Sequence, residues 1–194
     1  NIKLVNGNHL EGMPFTPRLK NAPIAEIGRL QGNGHLTIGM TKGYLSNDSE
    51  TFFGKAEHYG SLGIMNRMIG ISYLKQIHSK NGLEMINLFG GLSTGKLSWM
   101  GEMTVAENLV LGRSFATYSE LTYQMKRGLN ISGRIDFFDE NISFTQDAIR
   151  RTTIGLNYVP LPFLDIKFQI RSSELFGDVE SKGVELLTQL HVWF

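Results

Sequence analysis

The chain has 194 residues, a formal net charge of +1 and no cysteine. Near-neutral charge with scattered basic residues excludes a dedicated polyanion surface, so no nucleic-acid partner is expected. The missing thiols exclude disulfide frameworks, thiolate metal sites and covalent haem attachment. No apolar run approaches the roughly eighteen residues of a membrane helix, so a membrane role requires a closed barrel of strands.

Residues 1–35 carry Pro14, Pro17 and Pro23 and show no strand alternation. Ile24, Ile27 and Leu30 fall at three-residue spacing, which reads as a short helical turn or two. This segment is expected to be an N-terminal extension, a lumen plug or a remnant of earlier strands. The barrel proper is placed at 36–194. Asn1 is not followed by a basic stretch and an apolar core. A signal peptide is therefore expected to have been removed, or the chain to begin within a longer protein.

From there the sequence is read as strands. Residues 36–45 alternate moderately and 51–58 form a marginal strand. Residues 62–77 and 83–93 are strand-like, but polar residues break both faces and a bulge is expected. Downstream the period of two sharpens. Over 96–106, Leu97, Trp99, Met103 and Val105 oppose Ser98, Met100, Glu102 and Thr104. Over 113–127, Phe115, Leu121, Tyr123 and Met125 oppose Tyr118, Glu120, Gln124 and Lys126. Over 129–138, Ile131, Ile135 and Phe137 oppose Asn130, Arg134 and Asp136, and 151–159 alternate likewise. The cleanest strand is 164–173, where Leu164, Ile166, Phe168 and Ile170 oppose Asp165, Lys167, Gln169 and Arg171. A helix would spread those charges around its circumference. The last strand, 183–194, sets Phe194, Val192, Leu190 and Leu186 against Trp193, His191, Gln189 and Glu185. The total is about ten strands, as expected of an even-numbered bacterial barrel.

Short connections at Thr94-Gly95, Arg127-Gly128 and Pro160-Leu161-Pro162 alternate with longer ones at 107–112, 139–150 and 174–182. That rhythm fits short periplasmic turns and long external loops. It puts Tyr158, Phe163, Trp193 and Phe194 together at the periplasmic rim as part of an aromatic girdle. A final strand closing on Phe194 resembles the terminal strand of bacterial outer-membrane barrels, which implies that Phe194 serves as the address for the barrel-assembly machinery.

The alternation defines two candidate residue sets. Glu102, Glu120, Lys126, Arg134, Asp136, Lys167, Arg171, Glu185, Gln189 and His191 are expected to line the lumen. Phe168, Ile170, Leu190 and Val192 are expected to face lipid. The lumen set carries both signs, so it reads either as a charged pore lining or as a packed interior of paired charges. Size favours packing if the chain is a whole barrel of eight to ten strands, and a pore lining if it is the C-terminal part of a larger one. Among the five histidines, His191 beside Glu185 and Gln189 is the best candidate base, but no nucleophile motif accompanies it. Asp136, Asp139 and Glu140 with Asn141 supply oxygen ligands at a strand exit without calcium-loop spacing, so they read as a solvated loop. Gly90-Gly91 and Gly95 match no phosphate-binding motif. No metal or cofactor is expected.

The region from Ser119 to Phe194 is similar to the C-terminal part of phosphate-selective porins and their relatives. The resemblance rests on Glu120-Leu121-Thr122-Tyr123, Arg134-Ile135-Asp136-Phe137-Phe138-Asp139-Glu140-Asn141 and Arg151-Thr152-Thr153-Ile154-Gly155-Leu156-Asn157-Tyr158-Val159-Pro160. It implies an all-β antiparallel transmembrane barrel in a bacterial outer membrane, acting as a passive channel or conduit without a catalytic step. Those porins line their lumen with rows of basic residues. Here Lys167 and Arg171 are interleaved with Asp136, Glu120 and Glu185, so phosphate selectivity is not implied. Some porin-like barrels sheath multihaem cytochromes, which makes a structural barrel that anchors or sheaths an envelope partner the first alternative. An outer-membrane hydrolase and a soluble sandwich or lipocalin-like barrel follow. The expected partners are outer-membrane lipid, the assembly machinery and an envelope protein or further copies of the chain.

Overall fold

The computed structural model describes residues 24–42, 50–77, 82–108, 112–143, 148–176 and 181–193. They form eleven antiparallel strands in one sheet whose spatial order is the chain order. The strands are β1 (Ile24–Gln31), β2 (Gly34–Lys42), β3 (Glu50–Leu62), β4 (Met65–Ile77), β5 (Leu83–Thr94) and β6 (Leu97–Asn108). They continue with β7 (Gly112–Lys126), β8 (Leu129–Asp139), β9 (Ala148–Leu161), β10 (Leu164–Phe176) and β11 (Ser181–Val192). Each strand pairs only with its chain neighbours. β1 and β11 make no contact among the described residues, so the sheet is open.

Three sequence expectations change here. The sheet starts at Ile24, not at residue 36, because Gly32-Asn33 closes a hairpin between β1 and β2. The three-residue spacing of Ile24, Ile27 and Leu30 is incidental to a strand. Residues 1–23 lie outside the described residues. The strand count rises from about ten to eleven because β1 was read as helical. The proline turn also moves: β9 runs through Pro160 to Leu161, and Pro162-Phe163 makes the reversal.

One rim of the sheet carries all the tight turns. Gly32, Gly63 and Gly95 open three of them with φ of 56°, 60° and 54°, a region that favours glycine and matches the twist of paired strands. Four of the five turns are tied to the strand beyond them. The Asn33 carbonyl accepts from Tyr59 N at 2.8 Å, Lys96 from Gln124 at 2.8 Å, Gly128 from Val159 at 2.7 Å and Phe163 from Trp193 at 3.0 Å. On the opposite rim β2, β4, β6, β8 and β10 end and β3, β5, β7, β9 and β11 begin.

Strand pleating sorts the side chains onto two faces. One hollow draws its lining from β6 through β11 on a single face, so that face is concave. The convex face carries the large exposed apolar residues, among them Ile38, Ile71, Leu88, Val105, Ile135, Ile154, Ile170 and Leu186. Aromatics bracket this field. Trp99, Tyr123, Tyr158 and Phe163 lie toward the tight-turn rim, and Phe52, Tyr73, Phe115, Phe137 and Phe176 toward the other. Phe115 and Tyr123 mark the two bands on β7, roughly 26 Å apart at about 3.3 Å per residue. Beyond the second band the strand ends carry ion pairs: Lys75–Glu84 at 3.0 Å, Arg113–Glu107 at 3.4 Å, and Glu174 with both Arg150 and Lys182. His58 and Arg67, laid over Gly60, interrupt the apolar field on β3 and β4.

The concave face is filled where β3 to β5 run. Leu74 is 2% exposed, and Phe53, Leu83 and Phe89 are also buried. The Phe89 ring lies on Gly70 of the neighbouring strand. A Cβ at Gly70 would stand 2.2 Å from the ring's Cζ and 2.9 Å from the Ala56 carbonyl oxygen. Gly70→Ala therefore has to displace the ring and is expected to cost about 1–3 kcal/mol. A lower denaturant midpoint measures it, with part of the loss recovered when Phe89→Leu is added.

Candidate functional site: the concave polar wall

On the concave face of β7 to β11, polar residues replace the packed core. Register alone places them. Glu120 on β7 is opposite Arg134 on β8, and Tyr118 is opposite Asp136. Arg134 and Asp136 are in turn opposite Thr153 and Arg151 on β9. Asn157, Gly155 and Thr153 meet Lys167, Gln169 and Arg171 on β10. On β11, His191, Gln189 and Glu185 meet Asp165, Lys167 and Arg171. Together they surround an open hollow of about 470 Å³, lined by Glu120, Arg134, Lys167, Arg171, Gln189 and His191 among others.

Six of the ten lumen candidates thus share one hollow, and Glu185 joins them by lying 3.7 Å from Arg171. Asp136 sits beneath the same wall at 3% exposure, where it accepts from Arg134 Nε at 2.8 Å. The guanidinium also stacks over the Tyr118 ring, 5.7 Å from its centroid. A buried carboxylate is tolerated only with such partners, and the stacking on Tyr118 ties this β8 pair to β7. Lys126 stands apart, exposed at the end of β7 beyond a register shift. Glu102 also stands apart on β6, accepting from Asn87 Nδ2 at 2.9 Å.

Phe168, Ile170, Leu190 and Val192 project from the convex face and are all exposed, from 44% at Phe168 to 62% at Leu190. Phe194 lies outside the described residues. Trp193 turns toward the concave side, its ring edge-on to His191 with centroids 6.3 Å apart. His191 has Asp165 Oδ2 at 3.7 Å, and Lys167 Nζ lies 3.7 Å from the same oxygen. The acidic cluster does not converge. Asp136 and Asp139 are an odd number of residues apart on β8 and project from opposite faces. Among the described residues, no group of three or more acidic or histidine side chains could hold a metal ion.

A second polar row escaped the sequence reading. On β2 and β3, Thr37 Oγ1 is 3.2 Å from His35 Nε2, and His35 Nδ1 is 2.9 Å from Glu57 Oε1. Lys55 binds the other carboxylate oxygen at 2.5 Å and lies over the Phe89 ring. The order is hydroxyl, imidazole, carboxylate, but Thr37 is 5% exposed. Its hydroxyl is sequestered from any substrate, and the row borders the packed half on its β2 side. Asn157 and Gln169, which the alternation puts on the polar face but outside the lumen set, also line the hollow.

No protein-family model matches the sequence, and no curated protein matches it. Among solved structures, the chain is similar to the anion-selective porin from Comamonas acidovorans, with a TM-score of 0.60 and 11% sequence identity. The likeness covers 87% of this chain and 57% of that porin, so the chain spans little more than half its length. At that identity the likeness is one of fold: the sheet is porin-like, an antiparallel barrel wall.

Deleting a partner tests which ion pairs hold the wall. Arg134→Met strips Asp136 of its charge-assisted bond in a buried place and is expected to cost about 3 kcal/mol or more. Arg171→Met faces a largely exposed Glu185 and should cost about 0–1 kcal/mol. Denaturant midpoints of the two variants, compared with the parent, give both values.

Proposed function

We propose that this sheet is the wall of a bacterial outer-membrane barrel that works as a passive, porin-like conduit, without a catalytic step. The observation that carries the reading is the division of the two faces. An apolar field bracketed by aromatic bands covers the outside, and an open polar hollow lies within. At a strand tilt of about 40° the bands stand roughly 20 Å apart along the barrel axis, near the apolar height of about 25 Å in such barrels. The ion-paired strand ends then stand clear of the bilayer on the external side, and the tight turns face the periplasm. In lipid every strand edge must be paired, so β1 and β11 are joined by further strands in the working barrel.

The solved relative is an anion-selective porin by name. Around this hollow, Arg134, Arg151, Lys167 and Arg171 are matched by Glu120, Asp136, Asp165 and Glu185 on the same face. Equal numbers of each sign give no field that selects anions. The filled concave face over β3 to β5 favours a second reading for that half, in which it is a structural wall supporting an envelope partner.

Protein extracted from outer membranes should give stepwise conductance in planar bilayers, with weak preference between cations and anions in the reversal potential. A correctly folded preparation without conductance would leave the structural wall as the function. The lipid-facing assignment has its own test. Ile170→Arg and Leu190→Arg should each cost about 2–4 kcal/mol of folding into lipid vesicles, whereas Gln169→Arg on the other face should cost far less.

A further inference from the structure

We infer that the tight-turn end of the convex face holds the phosphodiester of an acidic phospholipid between Arg67 and His58. The inference rests on the outer-membrane reading, which turns this face toward lipid. His58 on β3 and Arg67 on β4 both project from it, and both are exposed. A Cβ at Gly60 would stand 3.2 Å from Arg67 Nε and 3.5 Å from His58 Cε1. The two side chains therefore converge over bare backbone. Arg67 lies in register with Leu92, and Leu92 with Trp99. That row places the pair at the aromatic level of the tight-turn rim, where headgroups meet hydrocarbon.

No acid of the described strands reaches this pair. On the convex face, acids stand only near the opposite rim, at Glu50, Glu84, Glu107, Asp139 and Glu174. Glu84 is opposite Lys75, eight residues along β4 from Arg67 and roughly 26 Å away at about 3.3 Å per residue. Arg29, Lys96 and Arg127 add positive charge along the tight-turn rim, and the turns there carry no acid. An arginine on a lipid-facing strand is costly at the bilayer midplane and costs little at the interface. A phosphodiester at that level accepts from the guanidinium fork and from an imidazole N–H, and it brings the negative charge that this end of the face lacks. Ile69, opposite His58, and Leu92, opposite Arg67, are 66% and 42% exposed. They offer acyl chains an apolar bed beside the charge. A soluble phosphate would leave them uncovered, so the geometry favours an amphiphile.

Native mass spectrometry of the folded, detergent-solubilised protein tests this with phosphatidylglycerol, phosphatidylcholine and inorganic phosphate as probes. Phosphatidylglycerol is expected to be held at least about tenfold more tightly than phosphatidylcholine. Phosphate at the lipid's own concentration is not expected to displace it. Equal retention of the two lipids, or displacement by phosphate, overturns the inference. Arg67→Gln combined with His58→Gln should weaken phosphatidylglycerol by about tenfold with strand content unchanged. Lys75→Gln, which removes the partner of Glu84 at the other rim, should leave that affinity as it is. If the double variant does not fold, Arg67→Gln alone decides. Undiminished phosphatidylglycerol affinity in the deciding variant overturns the inference. A dimer formed by the parent and lost in that variant also overturns it, because the face then docks a second copy. Phosphatidylglycerol binding by protein that shows no conductance keeps the lipid site and rejects the channel. Conductance without lipid preference keeps the channel and rejects the site.

Discussion

The continuous antiparallel ladder is the constraint on which the rest of this protein depends. Every strand from β1 to β11 pairs with its chain neighbours, so each residue's face is set by the parity of its position. Register errors are costly in such a sheet, because a slip of one residue turns an entire strand inside out. The ladder is held at one rim by glycine-led turns whose carbonyls bond to the strand beyond. Register shifts are confined to the last residues of β7 and the first of β10, next to those turns.

Within that frame the concave face is not uniform. Over β3 to β5 it packs like a core, with Leu74, Phe53 and Phe89 buried and Gly70 recessed beneath the Phe89 ring. Over β7 to β11 it opens into a hollow whose charges are paired in place, Arg134 on Asp136 and Arg171 near Glu185. The His35–Glu57–Lys55 row borders the packed half. On the polar half each paired acid offsets a base, as Asp136 does Arg134 and Glu185 does Arg171.

The convex face is built differently. Aliphatic residues fill the middle, aromatics mark two levels, and salt bridges appear only near the long-connection ends of the strands. Trp99 illustrates how locally this surface is built. Its ring covers Gly101, and its indole N–H donates to Ser119 Oγ at 3.0 Å across the strand pair, so the polar atom of an outward-facing aromatic is satisfied within the sheet.

The sequence by itself determined the face of nearly every residue in β6 to β11. Alternation at Phe168, Lys167, Ile170 and Arg171 is a local property of an extended chain and needs no fold to be read. It failed at β1, where three-residue spacing imitates a helix and only pairing with β2 imposes extension. Local pattern also could not show that Leu74 and Phe89 bury themselves on the same face where Lys167 and Gln189 line a hollow. That difference arises from how side chains on neighbouring strands fill the curve of the sheet. The recess over Gly155 and the meeting of β7, β10 and β11 around one space were likewise decided only in three dimensions, because they join residues far apart in the chain through backbone register.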